Sequence, residues 1–282
     1  MNCGWTKRIN FVTIGNMKTE QMKSTDLFVY RKLSEDDLRL FGETGYHRYG
    51  PILTGTGLEM MREQCMNAWS AEKGEFDENK NWLQNALLRN IHKKSAIVRD
   101  YYFEGPLADV AEQIIGPNIK GATSQLTFKM RGNPMDFGWH QDNNYGELDP
   151  YNAISCLTAL DDADEENGCL RIVPGSNKEG QIEQSDSRTV DDKAAQVDIN
   201  LEVDESRAVP MPMKAGECLF FNCHTLHQSR GNYSKTRDRR ILFLRFADAD
   251  AVEVFNDRKP RIGRLLRGKT VFPEVRTYEA DL

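Results

Sequence analysis

Apolar and polar positions follow two different periods along the chain, and the change between them predicts its elements. In the first part, apolar residues recur every three or four positions, as on one face of a helix. The clearest case follows Ser34, where a capping serine, an acidic first turn and a glycine stop at Gly45 mark a short amphipathic helix. Three more helical segments are predicted: about Gly57 to Lys73, Asn81 to His92 as a helical piece or lid, and Pro106 to Ile115.

After Gly121 the pattern changes to short runs that are rich in β-branched and aromatic residues. Turn signals such as Asn167-Gly168 and Pro174-Gly175 separate these runs. The predicted strands are Thr123–Met130, Ala153–Ala159, Cys169–Val173, Glu217–Phe221 and Ile241–Ala247. Short strands with such turns are typical of a β-sandwich or barrel, so we expect a mainly β protein with N-terminal helices.

Chain length favours a single domain over residues 1–282, because all-β barrels of this size commonly form one core. Its expected parts are an extension (1–24), a mainly helical N-terminal part (25–120), a β core (121–250) and a C-terminal tail (251–282). Residues 176–209 are polar, acidic and weakly periodic. A connection this long within a compact core is often functional, and we expect an inserted lid that flanks the mouth of a pocket.

Charge and hydropathy narrow the range of partners. The net charge of −6 comes from 43 acidic and 37 basic residues that are interspersed along the chain, which argues against a nucleic-acid surface or a polybasic membrane anchor. No apolar run approaches the roughly 20 residues that cross a bilayer, and no signal-peptide core is present. We therefore expect a cytoplasmic protein that acts on a small molecule; the sequence makes no prediction of its oligomeric state.

Two histidine-containing motifs carry the candidate chemistry. In Trp139-His140-Gln141-Asp142 an imidazole and a carboxylate stand two residues apart, so on a strand they would share one face. The second motif offers His224 and His227, which are three apart, so on a strand only one of them could join that face. Two histidines and one carboxylate on one side of a metal form the ligand set of non-haem Fe(II) oxygenases.

An isolated His-x-Asp is common by chance, so the prediction of a metal site depends on the ordered series of motifs around it. The series comprises His140-x-Asp142, Asn167-Gly168-x-Leu170, Pro174-Gly175-Ser176, Gly216 leading a strand, His227-x-Ser229, Asn232 and Arg239. From about Leu33 to Ala247 the chain thereby resembles the phytanoyl-CoA dioxygenase family of Fe(II)/2-oxoglutarate oxygenases. The resemblance implies a double-stranded β-helix (a cupin-like jelly roll). It also implies Fe(II), 2-oxoglutarate and dioxygen as cofactor and cosubstrates.

The resemblance also assigns roles to residues. His140, Asp142 and His227 would be the catalytic metal ligands, and Arg239 with Ser229 would hold the far carboxylate of 2-oxoglutarate. The spacing from Asn232 is one residue longer than the usual family pattern, which leaves Arg240 as an alternative. Further candidates are Gln125 and Lys129 for the cosubstrate pocket, Trp139, Asn143, Asn144 and Tyr145 for the substrate, and Trp82, Gln84 and Asn85 from the expected lid helix.

The expected reaction is hydroxylation of an unactivated C–H bond in a small metabolite, with release of succinate and carbon dioxide. Asp142 fills the position that a small residue takes in halogenases of the family, which favours hydroxylation over halogenation. Asn177 replaces a histidine that is not a ligand in the family, and Leu157 replaces a frequent tryptophan. The alternatives are desaturation or cyclisation with the same cofactors, or a cupin-like isomerase or non-catalytic ligand-binding barrel.

Overall fold

Antiparallel sheets form the centre of the protein, as seen in a computed structural model that describes residues 23–73, 86–182 and 201–282. The helices are α1 (Ser24–Leu27), α2 (Glu35–Thr44), α3 (Gly55–Lys73), α4 (Ala96–Phe103), α5 (Pro106–Ile115) and α6 (Pro273–Thr277). The strands are β1 (Tyr46–Pro51), β2 (Leu87–Arg89), β3 (Ile119–Lys129), β4 (Phe137–His140), β5 (Leu148–Asp149), β6 (Ala153–Ala159), β7 (Leu170–Ile172), β8 (Val209–Met211), β9 (Glu217–Asn222), β10 (His227–Ser229), β11 (Arg239–Asp248), β12 (Val252–Glu253), β13 (Lys259–Pro260) and β14 (Leu265–Arg267).

The strands form one large sheet and two smaller ones. The large sheet has the order β1-β9-β6-β11-β3-β14, with β2 also paired to β3, and a four-stranded sheet has the order β4-β10-β7-β8. Strands β5, β12 and β13 form the third sheet. Side chains from the large and the four-stranded sheet, among them Leu157, Ile241 and Ile172, share one buried cluster, so the two sheets pack face to face.

The large sheet is buried on both faces, which explains its nearly continuous apolar strands. On β11, Leu242, Leu244 and Phe246 join the cluster formed with the helices, whereas Ile241 points into the cluster between the sheets. Within the parts of the chain that the structure describes, no helix is long and apolar enough to cross a membrane.

Helix α2 begins after a capping serine and ends at a glycine, as predicted. The Ser34 hydroxyl accepts from Asp37 N at 3.1 Å, and the Asp37 carboxylate accepts from Ser34 N at 2.9 Å. Gly45 ends the helix with a φ of +81°, and a Cβ atom there would lie 2.6 Å from side-chain oxygens of both Asn177 and Thr225. Glycine is therefore required on both conformational and steric grounds.

The helix predicted over Asn81 to His92 does not continue beyond Ala86, which is the first residue of that range that the structure describes and is helical. Residues 74–85, which include Trp82, Gln84 and Asn85, lie outside the described residues. Leu87–Arg89 forms strand β2 against β3, and a 3-10 turn, Ile91–Lys93, follows. The cause is tertiary: Leu88 is buried opposite Leu126 in the sheet, and this pairing overrides local propensity.

Other boundaries follow the prediction closely. Helix α5 and strand β6 have the predicted bounds, while β3 and β11 are longer than expected because they pair along nearly their whole length. The tail, to which the sequence assigned no structure, contributes β12–β14 and α6. Of the expected lid insertion, 176–182 and 201–209 are described, and the remainder, like residues 1–22 of the extension, lies outside the described residues.

Candidate metal centre

Three potential metal ligands converge at the ends of neighbouring strands. His140 ends β4 and His227 begins β10, and the two residues face each other in the antiparallel β4–β10 pair. Asp142 Oδ1 lies 3.5 Å from His227 Nε2 and 4.0 Å from His140 Nε2. One ligand atom from each residue lies within 4.8 Å of the others, a spacing that a single metal ion could bridge.

Asp142 reaches this cluster by a different route from the predicted one. The sequence suggested that both members of His-x-Asp lie on one strand, but β4 ends at His140 and Asp142 begins a 3-10 turn, Asp142–Tyr145. The turn brings the carboxylate back towards the two imidazoles. The convergence was therefore predicted correctly, whereas the assumed strand geometry was wrong.

Backbone contacts orient both imidazoles so that Nε2 faces the cluster. His140 Nδ1 lies 2.6 Å from the Gly138 carbonyl oxygen, and His227 Nδ1 lies 2.8 Å from that of Thr225. A carbonyl oxygen only accepts, so each Nδ1 donates, and each Nε2 carries the lone pair that can bind a metal. Burial, together with the neighbouring His227, lowers the pKa of His140 to about 3. His140 is therefore neutral, the form that binds a metal, across the physiological pH range.

Two residues that the sequence analysis missed contact Asp142: Ser155 at its carboxylate and Arg245 at its backbone carbonyl. The Ser155 hydroxyl donates to Asp142 Oδ2, which leaves Oδ1 facing the imidazoles. Arg245 lies below, with Nη1 3.5 Å from the Asp142 carbonyl oxygen and Nη2 3.3 Å from Asn143 Oδ1. Burial alone would raise the pKa of Asp142, but His227 and Arg245 keep it below its usual range. The sequence does show a serine and an arginine within otherwise apolar strands, and this was the signal from which Ser155 and Arg245 could have been found.

His224 is excluded from the cluster by its position. It lies in the turn before β10, where its Nε2 is 3.2 Å from Asn143 Nδ2 and its ring packs at a tilt against Tyr151, with centroids 4.7 Å apart. Of the two histidines that the sequence offered, His227 is the one that lies with His140 and Asp142.

Arg239 is buried, and no acidic side chain in the described part of the chain forms an ion pair with it. It is 3% exposed, and its Nε and Nη1 atoms have no hydrogen-bond partner among the described residues. Burial lowers its pKa to about 10. Arg240 points to the opposite face, where its Nε and Nη2 donate to Asp161 at 2.7 and 2.6 Å. Of the two arginines, Arg239 is the one with buried donors that lack a partner among the described residues, as an anionic ligand would require.

The further cosubstrate candidates are Lys129, Ser229 and Gln125, of which Lys129 lies beside Arg239 in the sheet. Lys129 is its partner in the β3–β11 ladder, and Lys129 Nζ donates to Ser229 Oγ at 2.9 Å. Gln125 lies on the same face of β3 as Lys129, opposite Phe243, and is partly buried. Ser229 follows His227 by two positions on β10, so the metal cluster and the Arg239 group open to the same interior.

The substrate candidates make contacts mainly to the two described ends of the insertion. The Trp139 indole donates to Glu205 Oε1 at 2.9 Å, Asn143 Nδ2 donates to Gln181 Oε1 at 2.9 Å, and Asn144 Nδ2 donates to the Ile182 carbonyl at 2.9 Å. All three side chains are at most 4% exposed. The Tyr145 side chain lies outside the described part of the structure. Hydrogen bonds thus connect the segment around His140 and Asp142 to both described ends of the insertion.

Comparisons with known proteins agree with this architecture. The family model for phytanoyl-CoA dioxygenase (PhyH) matches residues 45–241. Methylphosphonate hydroxylase of Gimesia maris is 26% identical over 238 residues, which cover 81% of this chain and 87% of that protein.

Solved structures similar to this chain include EctD from S. alaskensis with bound Fe, with a TM-score of 0.64 at 20% identity over 84% of this chain and 88% of that one. The non-heme, alpha-ketoglutarate-dependent carbocyclase SnoK from nogalamycin biosynthesis has a TM-score of 0.64 at 20% identity over 84% of this chain and 95% of that one. The likeness confirms the predicted fold, a double-stranded β-helix with N-terminal helices.

Proposed function

The chain belongs to the phytanoyl-CoA dioxygenase family, and on this premise we propose that it is an Fe(II)- and 2-oxoglutarate-dependent dioxygenase that hydroxylates an unactivated C–H bond of a small metabolite. The observation that carries the proposal is the pair of unpartnered Arg239 nitrogens in the interior that also holds the histidine–aspartate cluster. Such a cluster alone suits several metal enzymes. A buried cation without a counter-ion additionally calls for an anionic ligand in the same space.

His140, Asp142 and His227 would hold Fe(II). Two imidazoles and one carboxylate on one side of the metal leave room for a bidentate 2-oxo acid and dioxygen. When bound, the iron and its cosubstrates supply the oxidising chemistry, with succinate and carbon dioxide as by-products. The three ligand residues are only 4 to 7% exposed, so the chain keeps bulk water away from them.

Arg239 and Ser229 would bind the distal carboxylate of 2-oxoglutarate, with Lys129 and Gln125 in the same pocket. A guanidinium suits this task because its planar fork can donate to both carboxylate oxygens. The two unpartnered nitrogens of Arg239 support this assignment, as does the absence of any ion pair to Arg239 among the residues described.

Trp139, Asn143, Asn144 and Tyr145 would border the substrate. The bonds of the first three to the ends of the insertion suggest that they shape the substrate space together with those ends. Methylphosphonate hydroxylase, a relative over most of the chain, acts on a small anion, and this supports a small free metabolite as the substrate class.

The test is a screen of small metabolites, including phosphonates, with Fe(II), 2-oxoglutarate and isotopically labelled dioxygen. Hydroxylation predicts succinate release together with a product that gains one labelled oxygen atom. Loss of two hydrogens would instead indicate desaturation or cyclisation. His227→Ala should abolish turnover, whereas the matched variant His224→Ala should retain the metal. A metal-loaded protein that never consumes 2-oxoglutarate would favour a cupin-like isomerase or a binding barrel.

A further inference from the structure

Arg245 is a second buried arginine of β11 and shares the inner face of that strand with Arg239. Side chains alternate along a strand, so positions 239, 241, 243 and 245 lie on one face. Ile241 and Phe243, which stand between the two arginines on this face, contribute to the apolar cluster between the sheets. Both arginines therefore face the interior that holds the metal ligands.

The metal ligands lie between the two arginines. On one side, Lys129, the ladder partner of Arg239, donates to Ser229, which stands two positions after a ligand histidine. On the other side, the Asp142 carbonyl oxygen lies 3.5 Å from Arg245 Nη1. A cosubstrate that reaches from the metal to Arg239 would thus leave Arg245 to a different ligand.

The guanidinium of Arg245 has more donors than its protein contacts use. A guanidinium carries five N–H donors. The hydrogen bonds of Arg245 to the described residues are long, 3.5 Å to the Asp142 carbonyl and 3.3 Å to Asn143 Oδ1, and its buried Nε has no partner among those residues. Because Arg245 is only 7% exposed, water does not readily satisfy these donors, and they call for an acceptor in the interior.

Neither buried acid of the described chain is a dedicated counter-ion of Arg245. These acids are Asp142 and Glu253, and Glu253 pairs with Arg261 at 2.6 Å. Asp142 lies near enough to Arg245 for the two charges to interact. Its carboxylate, however, has one oxygen bound to Ser155 and the other facing the imidazoles, as a metal ligand requires.

The interior would hold a surplus positive charge once Fe(II) and 2-oxoglutarate are bound. The two positive charges of the metal and the two negative charges of the cosubstrate cancel, and metal-bound imidazoles are neutral. Asp142 offsets one of the two arginines. One positive charge therefore remains before Lys129 is counted, and a buried charge of this kind is unfavourable unless an anion joins it.

We propose that Arg245 recognises an anionic group of the substrate, a carboxylate or a phosphonate, on the side of the metal site opposite to Arg239. The planar fork of an arginine can donate to two oxygens of either group. The inference rests on the proposed function and deepens it, since it gives the substrate class: a small metabolite that carries a negative charge.

The test compares two probes of similar shape and different charge, methylphosphonate and neutral methanesulfonamide, by calorimetry. The full-length protein is loaded with Ni(II) and saturated with 2-oxoglutarate, so that Arg239 is occupied. The wild type should bind methylphosphonate more tightly than methanesulfonamide. Arg245→Met should weaken methylphosphonate binding about 10- to 100-fold, the order expected for a lost charge-assisted contact, and should leave methanesulfonamide binding unchanged. Acetate and acetamide form a second pair, which shows whether the site prefers a carboxylate.

Control variants separate recognition of an anion from support of the metal ligands. Arg240→Met removes a cation of the same strand that pairs with Asp161 on the opposite face, and it should leave the binding of both probes unchanged. Arg245→Lys keeps the charge without the planar fork and should retain part of the affinity for methylphosphonate. In Arg245→Met the affinities for Ni(II) and 2-oxoglutarate should stay close to those of the wild type, because Ser155 still holds the Asp142 carboxylate.

The outcomes separate this inference from the proposed function. A wild type that binds 2-oxoglutarate but prefers neither anion to its neutral counterpart would overturn the inference alone. An Arg245→Met variant that binds both anions as tightly as the wild type would do the same. A loss of Ni(II) or 2-oxoglutarate binding in Arg245→Met, with an equal loss of charged and neutral probes, would also overturn it, because Arg245 would then act only through Asp142. A metal-loaded wild type that binds no 2-oxoglutarate would overturn the proposed function and, with it, the surplus charge.

Discussion

Replacing Arg239 by methionine should weaken cosubstrate binding without lowering the stability of the cosubstrate-free protein. Burial lowers the pKa of Arg239 from 12.5 to about 10. Since one pKa unit is about 1.4 kcal/mol, the charge costs the cosubstrate-free fold roughly 3 kcal/mol. Methionine removes this cost while filling part of the same volume, so Arg239→Met should leave the melting temperature of the cosubstrate-free protein unchanged or raise it by a few degrees.

Cosubstrate binding should change in the other direction. Two hydrogen bonds from a guanidinium to a carboxylate contribute about 1.5 to 3 kcal/mol each, so their loss should weaken 2-oxoglutarate binding at least about a hundredfold. In the wild type, 2-oxoglutarate at about a hundred times its Kd should stabilise the metal-loaded fold by about 2.7 kcal/mol. For a chain of this size that is a rise of roughly 5 °C, which Arg239→Met should lack.

The assay is thermal unfolding of the Ni(II)-loaded protein with and without 2-oxoglutarate, and the matched control is Arg240→Met. Arg240 adjoins Arg239 but pairs with Asp161 on the opposite face. Its loss should lower the melting temperature slightly, since a partly exposed ion pair contributes about 1 kcal/mol or less, and should keep the full response to 2-oxoglutarate. The reasoning is refuted if Arg239→Met melts many degrees lower and still responds to 2-oxoglutarate as the wild type does.

Three further predictions concern the supports of the site and the fold. Ser155→Ala removes the donor to Asp142 Oδ2 and should weaken Co(II) binding about 10- to 100-fold by calorimetry; an unchanged affinity would count against this support. Glu205→Ala removes the hydrogen bond from the Trp139 indole and the ion pair with Arg171 that anchor this end of the insertion. Limited trypsin digestion should therefore cleave after Arg207 severalfold faster, and an unaltered rate would contradict the anchoring role. Burial raises the pKa of Asp100 to about 6, above the unfolded value of about 3.9, so its ionisation destabilises the fold as pH rises from about 4 to 6. In urea unfolding, Asp100→Asn should therefore gain about 1 to 2 kcal/mol at pH 7.5, after a discount for partial exposure, and nothing near pH 3.5; equal gains at both pH values would refute this cause.

Elements that rest on local signals could be predicted from the sequence. Helix α2 has its serine cap and glycine stop, and α5 has proline at its first position and ends at Gly116. Strand β2 could not be predicted, because only its pairing with β3 decides between strand and helix for three residues. The strands of the tail likewise depend on partners that are distant in the sequence, Lys120 on β3 for β14 among them.

At the site, the order of the motifs was enough to predict which side chains lie close together, whereas their roles stay a proposal. His140, Asp142 and His227 converge as expected, and Arg239 rather than Arg240 faces the interior. Ser155 and Arg245 escaped prediction because only the packing of β6 and β11 brings them below Asp142. Their polar side chains at buried strand positions were visible in the sequence, but no spacing rule connects them to the histidines.

The most direct test of the central claim is an anaerobic titration of Fe(II) and 2-oxoglutarate into the purified protein, followed by visible absorption. The account predicts a weak charge-transfer band of the iron–2-oxoglutarate chelate in the wild type and in His224→Ala. The band should be absent from His140→Ala and His227→Ala. A folded, iron-loaded wild type without the band would contradict the account.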